Sequence, residues 1–99
     1  MPAYLIADVE VTDPAGYAEY SRAIMGTIEA HRGRYLVRGG ATEVLEGDWS
    51  PKRTIVIEFP SAAQLRAWYD SPEYEPLKAL RKRTAVSRLV LVEGVDAQA

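Results

Sequence analysis

His31 is the only histidine, hence the only side chain whose ordinary pKa lies near neutrality. Tyr17 and Tyr20 precede it on the same helical stripe. In a cleft this set would move protons, with the imidazole as general base or haem ligand and the phenols as donors to a substrate carbonyl. The packing alternative is a ring at a helix C-terminus, where the dipole favours a cation, and two core tyrosines with satisfied hydroxyls. Arg38 beside Gly39 and Gly40 is an arrangement that holds anions, because glycines admit a ligand to the backbone and a guanidinium fork matches a carboxylate. It reads equally as a bulged strand with Arg38 paired to a surface acid such as Glu43. Trp68, Tyr69 and Tyr74 surround a helix break at Ser71-Pro72, where they either roof a substrate pocket or plug it. Asp8 and Glu58 interrupt apolar strands; enclosed there, their pKa values would rise unless an arginine such as Arg53 or Arg88 pairs with them.

Other chemistries lack their residues. With no cysteine there is no disulfide, thiolate metal site or thiol nucleophile. His31 has no second ligand at metal spacing, so neither a metal nor a dissociable cofactor is expected. Gly39-Gly40 lacks the GxGxxG frame and a following helix, and HExxH and GxSxG are missing. A net charge of −2 gives no basic field, so nucleic acid and anionic membranes are not expected partners. No apolar run approaches the ~20 residues of a membrane span. The N-terminus enters a strand pattern without a basic segment before an apolar run, so no secretory signal is expected and cytoplasm is the expected location.

The elements that must position these residues follow from periodicity. Leu5, Ala7, Val9 and Val11 alternate with Tyr4, Ile6, Asp8 and Glu10, a strand signal. Asp13-Pro14 opens a helix, as N-cap and first helical residue. Its stripe is Tyr17, Tyr20, Ile24, Ile28 and His31, with Gly33 as the expected left-handed cap. Residues 35–37 and 42–45 read as two short strands, or one bent strand, around Gly39-Gly40. A turn-rich loop carries Trp49, expected at an interface or rim, and residues 54–59 form an apolar strand. Ser61 and Gln64 make a capping box for a helix with Leu65, Trp68 and Tyr69 inward. A second helical segment carries Tyr74, Leu77 and Leu80 and ends in Arg81-Lys82-Arg83, well placed for a helix C-terminus. Residues 86–93 are the last strand.

This order gives an α+β, ferredoxin-like βαββαβ fold, a four-stranded antiparallel sheet with both helices on one face. Residues 1–95 form one domain and 96–99 a loose tail. A 99-residue chain buries only roughly 60–68% of its unfolded surface, so a partner subunit would widen its stability margin. Strands with Ile55 and Ile57 on one face and Val56 on the other, or Val90 and Val92 against Leu89 and Leu91, are apolar on both faces and call for cover on both. A twofold homodimer, sheet against sheet, is expected, with Ile57 and Leu91 as residues whose change to Asp would yield monomer or unfolded protein.

The DPAGYAEY helix start, the HRGRYLVRGG turn, the RTIVIEFPS strand end and the AWYDSPEYEPL helix break together resemble the family known as domain of unknown function 1330. The resemblance runs from about Ala3 to Val95. It implies the fold of the dimeric α/β barrels, a superfamily that includes haem-degrading and cofactor-independent oxygenases, muconolactone isomerase-like enzymes and stress-response proteins. It implies no reaction.

The expectation is therefore a cytoplasmic homodimer holding a small, partly apolar, anionic molecule between helices and sheet. As an enzyme it would be a cofactor-independent isomerase, lyase or oxygenase acting on a small carbonyl acid. His31, Tyr17 or Tyr20 would be catalytic, and Arg38, Gly39, Gly40, Trp68, Tyr69 and Tyr74 would bind substrate. The alternatives are a ligand-binding or stress-linked module without turnover, and a structural dimer whose aromatics fill its own core.

Overall fold

A computed structural model describes residues 1–95, and the tail expected at 96–99 lies outside them. The elements are β1 (Ala3–Val11), α1 (Pro14–Ala30), β2 (Arg34–Arg38), β3 (Thr54–Phe59), α2 (Ala62–Tyr69), α3 (Glu75–Thr84) and β4 (Ala85–Glu93). They form an antiparallel sheet of order β2-β3-β1-β4, the ferredoxin-like arrangement.

Local chemistry sets the boundaries. Asp13 is extended and its carboxylate accepts from the Gly16 N–H, while Pro14 takes the first helical position. Ser61 caps α2 through the Gln64 N–H. Ser71 knits the break between α2 and α3: its hydroxyl donates to the Trp68 carbonyl at 2.8 Å and accepts from the Tyr74 N–H at 3.2 Å. Pro76 sits in the first turn of α3, where its missing N–H leaves no bond unmade.

The strand period divides the sheet cleanly. Ala3, Leu5, Ala7 and Val9, with Ile55, Ile57 and Phe59, face the helices and are buried against Tyr17, Tyr20, Ile24, Ile28, Leu65, Trp68 and Tyr74. The opposite face carries Ile6, Val37, Val86, Val90 and Val92, all exposed. Ile57 and Leu91, expected at the sheet-to-sheet contact, instead lie on the helix side; Ile57 is only 1% exposed. Their odd positions share a register with Leu5, which fixes their side of the sheet.

Three local expectations are corrected. Residues 42–45 form no strand: β2 ends at Arg38, and the stretch after it pairs with neither edge of the sheet. The left-handed residue after α1 is Arg32 (φ 64°), not Gly33. Glycine is required at 33 for space, since a Cβ there would lie 2.6 Å from the Phe59 ring. The carboxylates Asp8 and Glu58 also pair differently. Asp8 accepts the backbone N–H groups of Lys52 (2.8 Å) and Arg53 (3.3 Å), and these hold its pKa below the ordinary value, with the Lys52 bond first. Glu58 binds Arg34 at 2.7 Å and the Tyr4 hydroxyl at 3.2 Å on the open face.

Candidate functional site

The helices and the sheet enclose a cavity of about 30 Å³, room for one or two water molecules. Its floor is Leu5, Ala7, Val9, Ile55, Ile57 and Leu89, and its walls carry five rings, Tyr17, Tyr20, Tyr35, Trp68 and Tyr74, with Arg81. Each element supplies its part through its own period. Tyr17 and Tyr20 come from the inner stripe of α1, Trp68 from α2, and Tyr74 from the break Ser71 holds. The rings pack as a chain: Tyr17 to Tyr20 at 5.4 Å between centroids, Tyr20 to Tyr74 at 6.4 Å and Tyr74 to Trp68 at 4.2 Å.

The polar end of the cavity is a hydrogen-bonded line. The Tyr20 and Tyr74 hydroxyls are 2.8 Å apart, and Arg81 Nε donates to the Tyr74 oxygen at 3.3 Å. Burial first, and then the neighbouring Tyr74, pushes the Tyr20 phenol far above its ordinary pKa, so it stays protonated. Burial likewise pushes Tyr35 up to about 12. Among the described residues lining the cavity there is no carboxylate and no imidazole. The chemistry on offer is hydrogen-bond donation, positive charge and aromatic surface.

Among the residues singled out in the sequence, Tyr17, Tyr20, Trp68 and Tyr74 converge on this cavity, whereas His31, Arg38, Gly39, Gly40 and Tyr69 are not in its lining. His31 caps the C-terminus of α1, and its Nδ1–H donates to the Thr27 carbonyl at 3.0 Å. It lies fourteen residues beyond Tyr17, about 21 Å along the helix axis. Arg38 is exposed, donates to the carbonyl and hydroxyl of Ser21 (3.1 and 3.2 Å) and stacks 4.9 Å over Tyr35, with no bond to Glu43. Gly39 adopts φ +70°, the left-handed region that favours glycine, and the Arg53 guanidinium packs against it. Gly40 is exposed. Tyr69 is half-buried beneath the Lys78 ammonium, 3.9 Å from its ring centroid. It lines an open groove of about 260 Å³ with Leu65, Arg66, Leu91, Leu5 and Leu89, and the last two also line the cavity.

Sequence reasoning missed Arg81, assigned to a basic helix exit. Yet Tyr74, Leu77, Arg81 and Thr84 are spaced three and four apart, so Arg81 falls on the inner stripe of α3. That spacing was the available signal.

Solved structures share this architecture. The RPA0582 protein of Rhodopseudomonas palustris, of unknown function, superposes with a TM-score of 0.76 at 21% identity, covering 96% of this chain and 83% of that one. A dimeric ferredoxin-like protein of unknown function from Jannaschia sp. CCS1 gives 0.72 at 13% identity, covering 95% and 100%. SnoaB, a cofactor-independent oxygenase from Streptomyces nogalater, gives 0.65 at 11% identity, covering 97% and 95%. At these identities the likeness is one of fold. A search of curated proteins finds no match. The family model described as "Domain of unknown function (DUF1330)" matches residues 2–95, nearly the whole chain, and the protein belongs to that family.

Proposed function

We propose that the protein is a homodimer, paired through the open faces of its sheets, that binds a small, flat, largely apolar molecule between helices and sheet. The observation that carries the binding reading is the convergence of five rings and a guanidinium on one cavity. The neighbouring groove, sharing Leu5 and Leu89, supplies the volume a ligand's body needs beyond the water-sized inner chamber. Binding is favoured over an isomerase or lyase reading because no carboxylate or imidazole lines the cavity among the described residues. Turnover without a cofactor, as in SnoaB, which shares the fold, is the enzymatic extension of this reading.

The dimer reading is supported by Ile6, Val37, Val86, Val90 and Val92 standing exposed on one face, and by the dimeric ferredoxin-like protein that shares the fold. At roughly 25 cal/mol per Å², covering a few hundred Å² of such a face is worth several kcal/mol. Native mass spectrometry of gently purified protein tests both halves. A dimer carrying a small non-covalent mass is expected. A monomer would overturn the pairing, and a dimer that takes up no compound from a panel of aromatic acids and ketones would overturn the binding.

A further inference from the structure

Arg81 is 5% exposed, lines the cavity, and has no acid within ion-pair distance among the described residues. Its one hydrogen bond to a described residue is from Nε to the Tyr74 hydroxyl. A guanidinium stays charged under all ordinary conditions, and since none of Arg81's nitrogens is both enclosed and unpartnered, its unbonded Nη groups are open to an incoming acceptor. We infer that Arg81 is the anchor for an anionic group of the bound molecule, and that the ligand class is a planar aromatic or conjugated carboxylate, enolate or phenolate. This rests on the cavity being the binding site.

Donor bookkeeping at the polar end supports the assignment. Two phenols bring two O–H protons, one of which is spent between Tyr20 and Tyr74. Arg81 Nε fills an acceptor site on Tyr74. One phenolic O–H and the guanidinium's Nη hydrogens remain, so this end offers donors to whatever sits beside it. A neutral donor group gains nothing there. An oxyanion accepts from Arg81 and from the spare phenol at once, while the body of the molecule lies in the groove that shares Leu5 and Leu89 with the cavity. Arg38 is ill suited to this role, because its guanidinium is exposed and already bonded to Ser21.

Isothermal titration calorimetry of the intact protein with sodium benzoate and with benzamide, which has the same ring and an uncharged head, tests the inference. Wild type should bind benzoate roughly 10- to 100-fold more tightly than benzamide, the range of a charge-assisted hydrogen bond. Arg81→Met should bring the two affinities together. Arg81→Lys, which keeps the charge without the fork, should weaken benzoate yet preserve its preference, and serves if the methionine variant does not fold. Arg83→Gln, exposed on α3 and outside both the cavity and the groove, should leave the preference intact. Equal affinities in wild type, or a preference lost in Arg83→Gln and kept in Arg81→Met, would overturn the anchor while leaving the cavity as a binding site. If neither compound binds, the cavity reading itself fails and the anchor falls with it.

Discussion

The indole Nε1 of Trp68 donates to Thr27 Oγ1 at 3.0 Å, and that hydroxyl in turn donates to the Ile24 carbonyl at 2.7 Å. One threonine on α1 thereby fixes the orientation of the largest ring in the cavity wall. Thr27→Val leaves the indole N–H, on a side chain with no solvent exposure, without its acceptor. We expect a loss of about 1–3 kcal/mol in urea unfolding, with Thr27→Ser losing clearly less. Equal losses in the two variants would show that the hydrogen bond contributes nothing.

Two glycines, one inside α1 and one just beyond it, should respond in opposite directions. A Cβ at Gly33 would meet the Phe59 ring at 2.6 Å and Ile28 at 2.8 Å, so Gly33→Ala should cost about 1–3 kcal/mol. Gly26, inside α1, has open space around it, and Gly26→Ala should gain up to about 1 kcal/mol. Thermal melts of the two variants side by side check the contrast.

The two faces of the sheet should be separable by one charge each. Val90→Asp, on the open face, should yield a folded monomer with unchanged circular dichroism. Ile57→Asp, beneath the helices, should not fold, because it buries a carboxylate in the core. Light scattering coupled to gel filtration reads the first outcome, and a Val90→Asp variant that remained dimeric would move the interface elsewhere.

Acid should loosen the loop between β2 and β3 through Asp8. Its folded pKa is below the ordinary 3.8, chiefly through the Lys52 N–H, so its contribution to stability is complete above that value. It is lost as the pH falls through the lowered folded value. The Asp8→Asn variant should therefore lose less stability than wild type between neutral pH and about pH 3, measured as the shift in urea midpoint. Identical shifts would mean that Asp8 titrates alike in both states.

What the sequence made legible were features written locally. Alternation in β1, the apolar run of β3, the Asp13-Pro14 start, the Ser61 cap and the stripe Tyr17, Tyr20, Ile24, Ile28 each depend on neighbours a few residues away. Features set by distant partners were not legible. Residues 42–45 have strand-like composition, but whether a strand forms depends on pairing with a distant strand, and these residues pair with none. Arg38 beside two glycines resembled a ligand site, while the glycine at 39 packs against Arg53, fourteen residues on. Arg81 was hidden by chemistry: a basic cluster at a helix end has a ready explanation in the dipole, and the inner stripe that buries Arg81 crosses that cluster.

The double hydrogen bond made by Ser71 bears on the entropy of recognition. By holding the Trp68 carbonyl and the Tyr74 N–H on one hydroxyl, it fixes the backbone on both sides of the break, and the two rings stand 4.2 Å apart without help from a guest. Each side chain immobilised on association costs about 0.5–1.5 kcal/mol, and rings already locked by the fold forgo that cost. On the proposed binding reading, a guest at this end of the cavity meets a wall with few rotors left to freeze, so a small contact area can still give useful affinity.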